Sequence, residues 1–188
     1  MEALLTSLGV VAVAEIGDRT QLLALLLASQ FRRPVPIICG IFAATLANHA
    51  AAAVAGVWVG DLFSPAILRW VLGLSFAGMA IWTLIPDKLD DDVAVSMTRG
   101  AFLTTLVGFF VCEIGDKTQI ATAALAARFD LLLPVIIGTT SGMMIANVPT
   151  VLFGHWAGDR LDSGWLRYVA SAIFAVEAGL TFAGHGLL

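Results

Sequence analysis

Glu15-Ile-Gly-Asp-Arg-Thr-Gln21 returns as Glu113-Ile-Gly-Asp-Lys-Thr-Gln119, shifted by 98 residues, with six of seven positions identical and Arg exchanged for Lys at the seventh. The same offset aligns Phe31 with Phe129, Gly40 with Gly138, Trp58-Val-Gly-Asp61 with Trp156-Ala-Gly-Asp159, and Arg69 with Arg167. The chain is therefore an internal duplication. Both heptapeptides interrupt long apolar runs, and that context sets the fold class.

Six runs approach or exceed 20 residues, the length needed to cross roughly 30 Å of hydrocarbon: about 4–28, 35–59, 65–86, 100–127, 132–157 and 164–187. Of the 188 residues, 59% are hydrophobic and 13% charged, against about 25% charged in a soluble domain. Mean hydropathy is +0.92, more than one core of this size can bury. The expected fold is an all-α integral membrane protein of six transmembrane helices. Its parts are a three-helix repeat at 1–86, an acidic linker at 87–99 and a second three-helix repeat at 100–188. An odd number of spans per repeat turns the second half upside down in the bilayer, the inverted-repeat plan of many secondary transporters.

Arg32, Arg33, Lys88, Arg99, Arg160 and Arg167 fall on one side of this arrangement, and Arg69 and Arg128 on the other. The basic side is expected to be cytoplasmic, with the central loop inside, both termini outside, and the cell (inner) membrane as location. The apolar N-terminus lacks a basic leader and reads as the start of span one. Cys39 and Cys112 lie in apolar runs and read as free thiols. A net charge of −4 without a basic tract offers no grip on nucleic acid. Membrane lipid, a cation and protons are the expected partners.

Seven charged residues lie deep in spans: Glu15, Asp18, Arg19, Glu113, Asp116, Lys117 and Glu177. At about 2.5 to 3.5 kcal/mol each on insertion scales, they oppose insertion by roughly 20 kcal/mol if unpaired. Such a cost needs a functional return. Both heptapeptides sit near mid-span, so opposed repeats bring them together at the midplane. Glu15, Asp18, Glu113 and Asp116 then offer hard oxygen ligands to a divalent cation such as Mn²⁺, Ca²⁺ or Mg²⁺. Arg19 and Lys117 lower the formal charge of the four acids from −4 to −2, which one such ion neutralises. When the metal leaves, crowded carboxylates take up protons, and this competition is the physical requirement for antiport. The competing reading is structural: Glu15 to Arg19 and Glu113 to Lys117 as i, i+4 ion pairs that fasten spans one and four.

On a straight helix Thr20 and Gln21 point away from Glu15 and Asp18. Gly17 and Gly115 permit a break that would expose backbone to an ion, or they serve close helix approach. Asn48 and Asn147, mid-span in helices two and five, are either further ligands or interhelical hydrogen bonders. Glu177, mid-span in helix six, stands where the first repeat has Met79; it reads as a proton relay or as a partner of Arg19 or Lys117. His49 reads as a packing residue or a proton relay. Gly56 with Gly60, Gly138 with Gly142, and Gly154 with Gly158 read as close-packing pairs.

The doubled E-I-G-D-[RK]-T pattern resembles the E-x-G-D-[KR]-[ST] signature of the GDT family of cation/proton exchangers, bacterial manganese exporters among them, and the resemblance covers the whole chain. It implies Mn²⁺ export, or Ca²⁺ transport, against protons. Glu15, Asp18, Glu113 and Asp116 would bind the ion, with Thr20, Gln21, Thr118 and Gln119 supporting them. The cation is then cargo, and no cofactor is expected. Other readings are a passive cation channel with an acidic ring and an intramembrane hydrolase, although neither H-E-x-x-H nor a nucleophile elbow occurs.

Overall fold

The computed structural model describes residues 1–85, 100–157 and 164–183, and the acidic linker at 87–99 lies outside them. The described residues form helices without strands: α1 (Glu2–Glu15), α2 (Arg19–Phe31), α3 (Pro34–Leu62), α4 (Pro65–Trp82), α5 (Ala101–Glu113), α6 (Lys117–Phe129), α7 (Leu132–Ala157) and α8 (Gly164–Phe182). Among them, Pro34–Leu62, Pro65–Trp82 and Leu132–Phe153 are long and apolar enough to cross a membrane.

The first and fourth apolar runs are each broken in two. Ile16 and Ile114 turn to extended backbone, and Gly17 and Gly115 follow at φ +81° and +74°. A side chain is strained at such angles, and glycine is not. The halves contain 13 or 14 residues, about 20 Å of helix, so neither half crosses the hydrocarbon alone. The break moves the chemistry as well, because the residues after each glycine begin a new helix with its own phase.

Each half of the chain packs on the other. α1 and α2 lie against α7, α5 and α6 lie against α3, and α4 lies against α8. Glycines set the closest approaches. A methyl group at Gly40 would stand 2.8 Å from Thr105 Cβ, and one at Gly138 would stand 2.5 Å from the Leu4 carbonyl oxygen and 2.9 Å from Ser7 Cβ. Thr105 and Ser7 are themselves equivalent under the 98-residue offset, so the two halves make matching contacts. Gly56 likewise abuts the Ala123 carbonyl and Gly142 that of Leu8.

Two apolar clusters flank the centre. One draws on α1, α4, α6 and α8 through Val10, Leu72, Phe76, Leu125 and Phe174. The other joins α2, α3, α5 and α7 through Leu23, Leu27, Ile41 and Phe109. Trp58, Leu74, Ile81, Val111, Leu133, Ile137 and Phe153 are meanwhile each more than half exposed, which is the reverse of a soluble surface. Charged side chains are sealed between the clusters. Both cysteines are free, Cys39 exposed and Cys112 buried.

Candidate cation site

The two glycine breaks face one another across the centre. Asp18 is the N-cap of α2, its carboxylate accepting from the Arg19 N–H at 2.6 Å. Asp116 is the N-cap of α6 and accepts from the N–H and hydroxyl of Thr118 at 3.3 and 3.0 Å. Short polar residues at this position satisfy orphan N–H groups and lie in the positive end of the helix dipole. The Gly17 N–H donates to Gln21 Oε1 at 2.8 Å, and the Gly115 N–H donates to Gln119 Oε1 at the same distance. These glutamines brace the breaks with their oxygens. Their amide groups reach the opposite half: Gln21 Nε2 donates to the Ala146 carbonyl at 3.1 Å, and Gln119 Nε2 lies 3.5 Å from Asn48 Oδ1.

The ion pairs cross between the copies. Arg19 stands 3.4 Å from Asp116, and Lys117 stands 3.0 Å from Asp18. Pairing within each copy, Glu15 with Arg19 and Glu113 with Lys117, does not occur among the described residues, because each base lies beyond its break and no longer shares a helix with its glutamate. One carboxylate oxygen from each of Glu15, Asp18 and Asp116 falls within 4.8 Å of the others. All three side chains are almost wholly buried, as is Glu113.

The glutamates are held differently. Glu15 accepts from the Thr20 hydroxyl and, at 3.1 Å, from Asn147 Nδ2. Its Oε2 has no hydrogen-bond partner among the described residues, and neither has Asn147 Oδ1. Glu113 accepts from Thr45 Oγ1 at 2.7 Å and Asn48 Nδ2 at 3.1 Å, and it stands outside the group of three. Buried acceptors without donors are costly, and a bound cation would satisfy them. Thr45 escaped the sequence reading because its counterpart in the other half, Met143, is apolar; only the short reach from α3 to α5 exposes its role.

Glu177 does not pair with Arg19 or Lys117. It forms an ion pair with Arg128, at the far end of α6 and about 16 Å along that helix from Lys117. The height at which α8 packs decides the partner. His49 is fully buried, with no hydrogen-bond partner at either ring nitrogen among the described residues. The offset places it in the register of Asn147, yet it does not join the carboxylates.

Residues 3–91 and 101–186 match the family described as divalent cation/proton antiporter GDT1. The chain is 55% identical to a Vibrio cholerae protein named "Putative manganese exporter", covering 95% of this chain and 89% of that one. It is 25% identical to the chloroplast PAM71-homolog of Arabidopsis thaliana over 92% of this chain and 56% of the relative. A GDT1-like protein of Synechocystis is 24% identical over 95% of both. No solved structure matches. With both repeats and both motif copies inside the matched residues, the chain belongs to the GDT1 family and is a membrane transporter, not an enzyme.

Proposed function

We propose that this chain exports a divalent cation, Mn²⁺ first and Ca²⁺ second, from the cytoplasm in exchange for protons. The carrying observation is that Glu15 and Asp18 from one motif copy and Asp116 from the other bring buried carboxylate oxygens within 4.8 Å of one another, with Glu15 Oε2 lacking a donor among the described residues. Oxygen donors of this kind suit Mn²⁺, Ca²⁺ and Mg²⁺ alike. The name of the Vibrio relative favours Mn²⁺.

In this reading α1 with α2 and α5 with α6 each form one broken span. With α3, α4, α7 and α8 they make six spans in two inverted repeats, the central loop cytoplasmic and both termini outside. The matching Gly40 and Gly138 contacts support a two-fold relation. The carboxylates are closed to solvent, which fits a state between inward and outward opening. Alternating access then requires the halves to exchange environments. Arg19 and Lys117 hold the site together while it is protonated, and the metal displaces protons rather than bases.

Reconstituted liposomes test the proposal. Mn²⁺ entering the lumen should drive protons out, and an imposed proton gradient should drive Mn²⁺ uphill. Metal flux that runs downhill without proton movement would identify a channel instead, and absence of flux would overturn transport altogether.

A further inference from the structure

The corner between α2 and α3 carries a feature that the cation site does not use. Arg32 adopts the left-handed conformation at φ 51°, and Arg33 caps α3. Both arginines are exposed, and neither pairs with a carboxylate among the described residues. Beside them lies a cavity of about 480 Å³ whose other walls include Ala28, Pro34, Val151 and Leu152. Two exposed arginines thus line an apolar groove between α2, α3 and α7. Prolines at 34 and 36 remove two of the four backbone donors from the first turn of α3, so the arginine side chains carry the larger share of any anion contact there.

The second repeat supplies a comparison. At the equivalent corner Asp130 occupies the place of Arg32, also at φ 51°, and Leu131 replaces Arg33. The cavity beside it, about 540 Å³, includes Glu2, Asp61, Arg128 and Asp130 in its walls. The turn is shared and the charge is not, so the paired arginines do not follow from the backbone geometry.

We infer that the Arg32–Arg33 groove binds an anionic phospholipid, its phosphate held by the two guanidinium groups and an acyl chain lying along Val151 and Leu152. Arginine matches phosphate through forked donors, and basic pockets between membrane helices take anionic headgroups. The inference needs the chain to sit in a bilayer and is independent of which cation it carries.

Native mass spectrometry of the intact chain, with phosphatidylglycerol or phosphatidylcholine added, tests it. Phosphatidylglycerol should be retained preferentially. Arg32→Asn and Arg33→Gln should each weaken retention about fivefold, and together about thirtyfold, from roughly 1 kcal/mol per basic residue. The Arg32→Lys/Arg33→Lys protein keeps the charge and loses the forked donors, so its retention should fall between that of the parent chain and that of the Asn/Gln double variant, which separates loss of charge from misfolding. Arg69→Gln should leave it unchanged. Equal retention of the two lipids, an equal loss in Arg69→Gln, survival in the Asn/Gln double variant, or displacement by inorganic phosphate at the lipid's own concentration would each overturn the inference.

Discussion

The two copies of the heptapeptide differ at one position, yet their glutamates keep different company. Glu15 meets Asp18 and Asp116, with one oxygen lacking a donor. Glu113 is held by Thr45 and Asn48. The difference comes from what faces each copy: α7 gives Glu15 Asn147, whereas α3 gives Glu113 Thr45 and Asn48, and the residues at the matching register are Met143 for Thr45 and His49 for Asn147. In this conformation one glutamate keeps an oxygen without a donor beside the two aspartates, and the other is satisfied by its neighbours. The asymmetry teaches that the motif places the carboxylates and the opposite repeat decides how each glutamate is hydrogen-bonded; on the proposed reading, that choice sets which of them meets the ion.

Substitution at the glutamates breaks the comparison most severely. Glu15→Gln should lower Mn²⁺ affinity more than about a hundredfold, beyond the 10–100-fold typical of outer-shell partners. Glu113→Gln should abolish transport while leaving more of the binding intact; calorimetric titration paired with liposome flux separates the two. Acid should act next. Metal binds the deprotonated cluster, so affinity falls as pH is lowered, by up to about tenfold per pH unit for each proton displaced. A dissociation constant independent of pH between 8 and 6 would count against competition between metal and proton.

Asn147→Ala removes the amide that orients Glu15 and should weaken binding about 10- to 100-fold. Asn48→Ala, acting on Glu113, should have a much smaller effect in the same titration. The ion pair of Arg128 and Glu177 has no equivalent in the first repeat, where Gln30 and Met79 stand. Arg128→Gln should therefore cost about 3 kcal/mol of stability, and Gln30→Ala less than about 0.5, as read from denaturation in detergent. Gly17→Ala and Gly115→Ala meet no steric obstacle, but they force a side chain into positive φ. Each should cost about 1 to 2 kcal/mol, and the two should match if the breaks are equivalent.

Much of the architecture was legible because it is written in long-range composition. The apolar runs mark the helices, and the repeated heptapeptide marks where two of the runs carry charge. Gly17 and Gly115 flagged the breaks, but a glycine inside an apolar run serves close packing equally well; Gly56 and Gly138 do that. The crossed pairs of Arg19 with Asp116 and Lys117 with Asp18 were not legible. Spacing allowed i, i+4 pairs within each copy as the competing reading, and the change of helix phase at the break places each base beside the other copy's aspartate. The partner of Glu177 was not legible for a related reason: sequence gives its position along α8, while the packing height against α6 pairs it with Arg128 instead of Arg19 or Lys117.

Counting bound ions tests the central claim most directly. Equilibrium dialysis of purified protein against Mn²⁺ should find one high-affinity ion per chain, lost in Asp18→Asn and equally in Asp116→Asn, because a single shared site draws on both repeats. Two independent ions per chain, or undiminished binding after either substitution, would contradict it.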